Sequence, residues 1–235
     1  MAKTKELPPP PERPEVSPPA KVAGEELVTL DGLPNEPRLE ARVRASASAE
    51  RAVVLCHPHP LYGGTMHSAV VLAIARLLAE KGGERVAALR FNYRGVGASE
   101  GVYGDGIGET LDARAAIREL ARRAPRAKLT VCGYSFGTWV GLRAAAAEGN
   151  IERVALVAPA VRVFDFVRED AADFQGRLAV FVGDQDEFCD VAEAEELARD
   201  LGASLTVLEG SDHSFLRSRR TLAETVLPAI APEVS

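Results

Sequence analysis

Cysteine is scarce in this chain, and its three residues form no recognisable pattern. Cys56, Cys132 and Cys189 are too few and too widely spaced for a disulfide framework. Cys56 and Cys132 lie within apolar runs, where a free thiol behaves as a small hydrophobic side chain. We therefore expect structural thiols in a reducing compartment, and the cytoplasm is the expected location.

Long apolar runs and positive charge are missing as well. No segment reaches the roughly 18 consecutive apolar residues of a membrane span, and the first seven residues lack the apolar core of a signal peptide. The formal net charge is −6 and the isoelectric point is near 5.4, which argues against nucleic acid or an anionic membrane as a partner. With no coiled-coil pattern either, we expect a monomer or a homodimer that acts on a small molecule.

Proline is concentrated at the N-terminus, where residues 1–20 contain seven prolines, four of them consecutive. Such a segment has few backbone donors and little apolar surface to bury. We interpret residues 1–22 as a disordered, solvated tail, with a proline-rich partner motif as the alternative. Residues 23–235 are then predicted to form one domain.

The hydrophobic pattern beyond the tail predicts an α/β fold. Residues 26–30 and 38–45 resemble two antiparallel edge strands, and the second alternates apolar and polar residues. Continuous apolar runs, typical of strands buried on both faces, follow at 52–56, 86–91, 129–132, 154–157, 178–182 and 205–208. Helical stretches at about 65–81, 107–124, 137–148, 191–202 and 215–227 alternate with these runs. This order predicts a mostly parallel, twisted sheet of about eight strands with helices on both faces.

The run at 129–132 leads into Gly133-Tyr134-Ser135-Phe136-Gly137 and then directly into a predicted helix. A strand that turns into a helix through G-x-S-x-G is a nucleophile elbow, in which the serine occupies a strained turn between two glycines. Chance alone supplies roughly 0.08 such matches in a chain of this composition, so the context has to support it. Ser135 is the candidate nucleophile.

The carboxyl ends of the later strands supply a candidate acid and a candidate base. In a parallel sheet, ligands bind beyond these ends. The run at 178–182 is followed by Gly183-Asp184-Gln185-Asp186, and the last run is followed by Ser211-Asp212-His213. Serine, acid and histidine thus follow one another in the chain order of α/β-hydrolases. Asp184, Asp186 and Asp190 are all candidates for the acid, and Asp190 also resembles the start of the next helix.

Several stretches together resemble one family. HPHPLYGGTMHS, LRFNYRGVGASEG, GYSFG, GDQDE and GSDHSF are similar to small bacterial α/β-hydrolases of the dienelactone-hydrolase-like kind, over about residues 50–227. The resemblance implies an α/β-hydrolase fold and a serine hydrolase. Dienelactone hydrolases proper use a cysteine nucleophile, so their particular activity does not carry over to Ser135. The family pattern G-x-x-D, counted from Gly183, implies Asp186 as the acid beside His213.

The same resemblance implies an oxyanion hole. One backbone N–H should come from Phe136, the residue after the nucleophile. The other is implied at His59 by similarity of His57-Pro58-His59-Pro60 to the His-Gly-x-Pro loop of related hydrolases, since proline has no N–H. Leu61 and Tyr62 are the alternatives for this second donor.

Histidines 57, 59 and 67 raise the question of a metal site. Prolines stiffen this loop, and no carboxylate or cysteine ligand set lies near it in sequence, so we favour a structural role and expect neither metal nor cofactor. The glycines of the stretch 92–99 suggest a phosphate loop, but the Lys-Ser/Thr ending is missing, and we interpret it as a bracing loop.

Only about 20 residues separate the runs ending at Val157 and beginning at Leu178, which excludes a large cap domain. We expect an open pocket. Its predicted walls are Leu61, Tyr62, Tyr134, Phe164 and Phe215. The predicted activity is hydrolysis of a carboxylic ester or thioester through an acyl-enzyme. The alternatives are a peptidase, amidase or perhydrolase on the same triad, or a non-catalytic binding protein of this fold.

Overall fold

The computed structural model describes residues 8–12, 19–166, 168–171 and 174–232. Eight strands form a single sheet. They are β1 (Glu26–Leu30), β2 (Leu39–Arg44), β3 (Arg51–Cys56), β4 (Val86–Phe91), β5 (Lys128–Tyr134), β6 (Ile151–Val157), β7 (Arg177–Gly183) and β8 (Ser204–Leu208). The helices are α1 (Ala69–Gly82), α2 (Ile107–Arg123), α3 (Phe136–Glu148), α4 (Val191–Leu201) and α5 (Arg219–Ile230).

The strand order is β1-β2-β4-β3-β5-β6-β7-β8. β1 pairs antiparallel with β2, and β2 pairs antiparallel with β4, whereas β3 to β8 are mutually parallel. The predicted mostly parallel sheet with two antiparallel strands before it is confirmed. The parallel arrangement brings the carboxyl ends of β3, β5, β7 and β8 to one edge of the sheet.

Two hydrophobic cores cover the two faces of the sheet. Successive residues of β3 alternate between them, with Val54 in the core beneath α2, α3 and α4 and Leu55 in the core beneath α1 and α5. Every residue of β3 is buried, as its unbroken apolar run predicts for a central strand. In β2, Leu39, Ala41 and Val43 are buried, consistent with the alternation in its sequence.

Two helices begin later than the sequence predicts. α1 begins at Ala69 rather than near 65, because the Thr65 carbonyl accepts from the Ser68 N–H and closes a separate turn. α5 begins at Arg219 rather than near 215. Phe215 has a φ of 48°, a left-handed conformation that does not continue a helix, and its carbonyl closes another turn with the Ser218 N–H.

The chain packs on the domain before the expected boundary at residue 22. Residues 1–7 and 13–18 of the predicted tail lie outside the described residues. Val22 belongs to the core beneath α1 and α5. Arg90 of β4 is fully buried, donates to the Ala20 carbonyl at 2.7 Å and pairs with Glu25 at 2.7 Å. Further towards the N-terminus, the Pro8 carbonyl accepts from the Tyr62 hydroxyl.

The connection between β6 and β7 is short, as predicted. Its described residues contain one 3-10 turn, Arg168–Ala171, so this position holds no cap domain. Across the described residues, no helix combines the length and apolar character needed to cross a bilayer.

Candidate active site

Ser135 lies in the sharp turn between β5 and α3. Its φ of 54° and ψ of −118° place it in a strained conformation, and its N–H donates to the Val157 carbonyl at 2.9 Å. Both flanking glycines are required by space. A Cβ at Gly133 would lie 2.1 Å from the Gly137 oxygen, and one at Gly137 would lie 2.4 Å from the Cys56 oxygen. The backbone of the elbow is therefore in close contact with the backbone at the end of β3.

His213 reaches Ser135 from the loop after β8. Its Nε2 lies 3.0 Å from the Ser135 Oγ, and its Nδ1 lies 2.8 Å and 3.0 Å from the two carboxylate oxygens of Asp186. The Tyr134 hydroxyl donates to the His213 carbonyl at 3.2 Å, and the Phe188 ring packs edge-on against the imidazole at 4.7 Å. These contacts hold the ring between the hydroxyl and the carboxylate.

Asp186 is the only one of the three candidate acids whose carboxylate contacts His213 in the described structure. Its side chain has no exposed surface, and its Oδ1 also accepts from the Phe188 N–H at 2.8 Å. Asp184 is exposed and accepts from the Ser211 N–H. Asp190 caps the N-terminus of α4, as its sequence position suggested.

The three groups form a hydrogen-bonded chain that can move a proton. A carboxylate can only accept at Nδ1, so the Nδ1 of a neutral His213 carries the proton and its Nε2 lone pair faces the Ser135 hydroxyl. An imidazole in this tautomer can take the hydroxyl proton as the oxygen attacks an electrophile. The buried carboxylate of Asp186 then stabilises the imidazolium that forms.

The loop after β3 leaves one of its three candidate amides free. The Leu61 N–H donates to Nδ1 of the His59 ring at 3.2 Å, and the Tyr62 N–H donates to the His59 carbonyl at 3.1 Å. The described residues offer no acceptor to the His59 N–H. Phe136 is the first residue of α3, so its N–H has no intrahelical acceptor either. The rings of His59 and Phe136 are 4.8 Å apart, which places the two residues side by side.

A cavity of about 260 Å³ opens onto Ser135 and His213. Tyr62, Tyr134 and Phe164 line it, as the sequence predicted, but the described lining does not include Leu61 or Phe215. Phe215 is fully buried in the core beneath α1 and α5. Leu61 belongs to a 3-10 turn, and its N–H donates to the His59 ring.

Four lining residues were predicted neither as walls nor as catalytic or oxyanion residues. Phe188 follows Asp186 by two residues, and its position beyond the carboxyl end of β7 is the signal that could have found it. The other three are Pro58, Ala160 and Val163. They lie in loops that follow strands, and no other sequence feature marks them as lining residues.

His57 has a structural role. It is completely buried, its Nδ1 lies 2.7 Å from the Pro58 carbonyl, and its Nε2 accepts from the Tyr93 N–H at 3.1 Å. Burial lowers its pKa to about 3, so the ring is neutral at pH 7. His59 is also held on both nitrogens, by the Leu61 N–H and the Tyr103 hydroxyl, and burial lowers its pKa to about 4.

The described residues contain no group of three or more His, Cys, Asp or Glu side chains that could hold a metal ion. The cysteines are all buried and free of disulfides, and burial raises the pKa of Cys56 to about 12. The loop at 92–99 is hydrogen-bonded to the neighbouring elements of the fold. Arg94 forms a bidentate pair with Asp112 of α2, and Asn92 donates to Glu40 of β2 at 2.7 Å.

Comparison with known proteins identifies the family. Residues 47–167, more than half of the chain, match the family described as serine aminopeptidase, S33, and residues 114–221 match a family described as serine hydrolase. The chain belongs to the serine hydrolases of the α/β-hydrolase superfamily. This hydrolase is 30% identical over 192 residues to an uncharacterized protein of Rickettsia prowazekii, a match covering 77% of the chain and 79% of that protein.

Two solved structures resemble this serine hydrolase over nearly their whole length. The first is an α/β serine hydrolase without a lid from Xanthomonas campestris, with 29% identity and a TM-score of 0.75, covering 91% of this chain and 96% of that one. The second is an α/β serine hydrolase homologue from Coxiella burnetii, with 28% identity and a TM-score of 0.75, covering 91% and 100%. The missing cap of this hydrolase agrees with the lidless relative.

Proposed function

We propose that this serine hydrolase cleaves small, uncharged carboxylic esters through an acyl-enzyme, with Ser135 as nucleophile, His213 as general base and acid, and Asp186 as the orienting carboxylate. The observation that carries the proposal is the continuous chain from the Ser135 Oγ through the His213 ring to the buried Asp186 carboxylate, with contacts of 3.0 Å and 2.8 Å. An isolated serine hydroxyl is hardly ionised at neutral pH and needs such a neighbouring base.

In the first half of the reaction, the Ser135 oxygen attacks the ester carbonyl while His213 Nε2 takes its proton. The tetrahedral intermediate collapses, the alcohol leaves with the proton returned by His213, and an ester of Ser135 remains. In the second half, His213 takes a proton from water, the hydroxide attacks the acyl carbonyl, and the carboxylic acid leaves as Ser135 regains its proton.

The negative charge on the carbonyl oxygen needs donors in both halves. We assign these donors to the backbone N–H groups of Phe136 and His59. The free His59 amide and the engaged Leu61 and Tyr62 amides favour this choice over the alternatives. One such donor typically stabilises the transition state by about 3 kcal/mol.

The lining of the cavity supports an uncharged substrate. None of the described residues around it carries a carboxylate or an ammonium group, and seven of the ten described lining residues are Tyr, Phe, Val, Ala or Pro. An aminopeptidase binds the cationic amino end of its substrate, and a buried cation requires an opposite charge. The lining therefore favours esters or thioesters over the aminopeptidase substrates that the family description names. A cavity of about 260 Å³ suits a short acyl chain or a single ring.

Labelling with a fluorophosphonate probe tests the nucleophile and separates an enzyme from a non-catalytic binding protein. The parent protein should be labelled stoichiometrically at Ser135, and Ser135→Ala should lose the label together with at least about 10⁴-fold of its rate on a p-nitrophenyl ester. Ser214→Ala is the matched control, since this exposed hydroxyl neighbours His213 and contacts Asp212. Equal ester hydrolysis by Ser135→Ala and the parent would refute the proposal.

Specificity is tested by comparing p-nitrophenyl acetate with an aminoacyl p-nitroanilide on the same preparation. The proposal expects a kcat/KM at least about 100-fold higher for the ester, beyond its greater intrinsic reactivity. A higher kcat/KM for the aminoacyl anilide would instead support the aminopeptidase alternative.

A further inference from the structure

A second cavity, of about 500 Å³, lies between α1, α5 and residues 19–20. It shares no described lining residue with the cavity at Ser135. The groups that matter for a ligand are His67, Ala69, Arg76, Arg219 and Arg220, all of which line it. Each polar side chain among them can donate a hydrogen bond, and three of them are guanidinium groups. The described lining of the cavity at Ser135 contains no arginine or lysine.

His67 presents an unused N–H to this cavity. The residue is 6% exposed, and its Nδ1 lies 3.1 Å from both the Ala20 N–H and the Arg90 guanidinium. Both partners can only donate, so Nδ1 is an acceptor and the proton resides on Nε2. Among the described residues, nothing accepts from the Nε2–H. The Nε2 edge of the ring keeps some accessible surface, so this N–H can donate to a ligand in the cavity that His67 lines.

The N-terminus of α1 opens onto the same space. α1 has 14 residues, and Ala69, its first, lines the cavity. Ser68 precedes the helix but does not cap it, because its hydroxyl accepts from the Thr65 N–H at 3.1 Å instead. The first turn also contains no acidic residue. The first-turn amides therefore keep their partial positive charge, which suits an anion.

Two guanidinium groups complete the set. Arg76 lies seven residues after Ala69, hence on the same face of α1, and Arg219 begins α5. In the described part of the chain, neither has a carboxylate within ion-pair distance. Arg220 differs, because Glu80 and Glu224 already hold its guanidinium at 2.8 Å and 2.7 Å. The Arg219 Nε donates to the Ser214 carbonyl at 3.4 Å, so Arg76 and the terminal nitrogens of Arg219 are the cationic groups available to a ligand.

We propose that this cavity is a second binding site, and that it takes the phosphate group of a phosphorylated ligand. The site offers an imidazole N–H, helix amides and two fork-shaped guanidiniums, and it offers no acceptor side chain. A phosphate monoester carries three terminal oxygens and up to two negative charges, and it matches this set better than a carboxylate does. The apolar side chains of Leu72 and Ala73 line the same cavity and can contact the ester's organic part.

Isothermal titration of the full chain with glycerol 3-phosphate and with inorganic phosphate tests the site. Both should bind, and the double variant Arg76→Gln/Arg219→Gln should weaken binding at least about tenfold for the loss of two charge-assisted hydrogen bonds. Arg126→Gln is the control, since Arg126 is exposed in the turn before β5 and outside the cavity. Hydrolysis of p-nitrophenyl acetate should stay unchanged in both variants.

Sedimentation with phosphatidic-acid vesicles distinguishes the source of the phosphate. Loss of vesicle binding in the double variant, but not in Arg126→Gln, would assign the site to a lipid headgroup, and binding of the soluble monoester alone would assign it to a metabolite. The proposal is overturned if neither soluble phosphate nor vesicles bind, or if Arg126→Gln weakens binding as much as the double variant.

Discussion

The substitution Asp186→Asn tests whether this carboxylate acts by orienting His213, because asparagine has nearly the same shape but lacks the charge. The Phe188 N–H donates to Oδ1 at 2.8 Å, so an asparagine should keep its oxygen there and place its NH₂ at the position of Oδ2. That position lies 2.8 Å from His213 Nδ1. A donor now faces Nδ1, and the imidazole must accept there. Its proton therefore moves to Nε2, which faces the Ser135 hydroxyl and can no longer take its proton.

The size of the loss follows from this change of tautomer. For a Ser-His-Asp hydrolase, replacing the carboxylate by its amide typically lowers kcat about 10⁴-fold. At 1.36 kcal/mol per factor of ten, this corresponds to about 5.5 kcal/mol of transition-state stabilisation. Asparagine replaces only one carboxylate oxygen of aspartate with an NH₂ group, so the packing around the fully buried side chain at position 186 should barely change.

Initial rates on p-nitrophenyl acetate, with melting temperatures measured in parallel, provide the assay. Asp184→Asn is the matched control, because Asp184 is exposed and an asparagine oxygen can still accept from the Ser211 N–H. Its rate should stay within about twofold of the parent, as for a surface change away from the chemistry. The reasoning is refuted if Asp186→Asn keeps more than a tenth of the activity, or if the two variants lose it equally.

Three further predictions concern stability. Arg90→Met should lower the free energy of unfolding in urea by about 3–5 kcal/mol, because it leaves the buried Glu25 carboxylate without its cation. Arg38→Met, which breaks an exposed ion pair with Glu100, should leave the urea midpoint nearly unchanged. Gly137→Ala should cost about 3 kcal/mol, since its Cβ would meet a backbone oxygen at 2.4 Å; an unchanged melting temperature would contradict this. His57 has a folded pKa of about 3, so below pH 6.5 its unfolded form gains the proton first and the free energy of unfolding should fall by about 1.4 kcal/mol per pH unit. His59, with a folded pKa of about 4, adds to this fall, so His57→Gln should lessen the slope between pH 6.5 and 4 without abolishing it, and an unchanged slope would contradict this.

The fold could be predicted almost completely because strands and helices depend on local periodicity. The apolar run at 52–56 predicts a strand that is buried on both faces, and every residue of β3 is buried in the structure. Helix starts were less accurate, at Ala69 and Arg219, because hydrogen-bonded turns at Thr65–Ser68 and Phe215–Ser218 occupy the residues that helical spacing alone would include.

The candidate site likewise has residues that local sequence patterns predict and residues that only the folded chain identifies. Ser135 and His213 were evident from sequence, because G-x-S-x-G is a backbone requirement and no other histidine follows the last strand. Residue pattern alone left Asp184, Asp186 and Asp190 open as the acid. Which of them reaches His213 depends on how the loop after β7 folds, and the folded loop buries Asp186 against the imidazole.

The sequence by itself determined the order of elements, the chain order of the three groups and the two glycines of the elbow, since each is written in consecutive residues. Only the tertiary structure decided which carboxylate meets His213, which side chains line the cavity, and that His67 faces a second one beside Arg76. The physical reason is the same in each case. These contacts join residues from loops and helices far apart in the chain, and their geometry is set by how the two cores pack on the sheet.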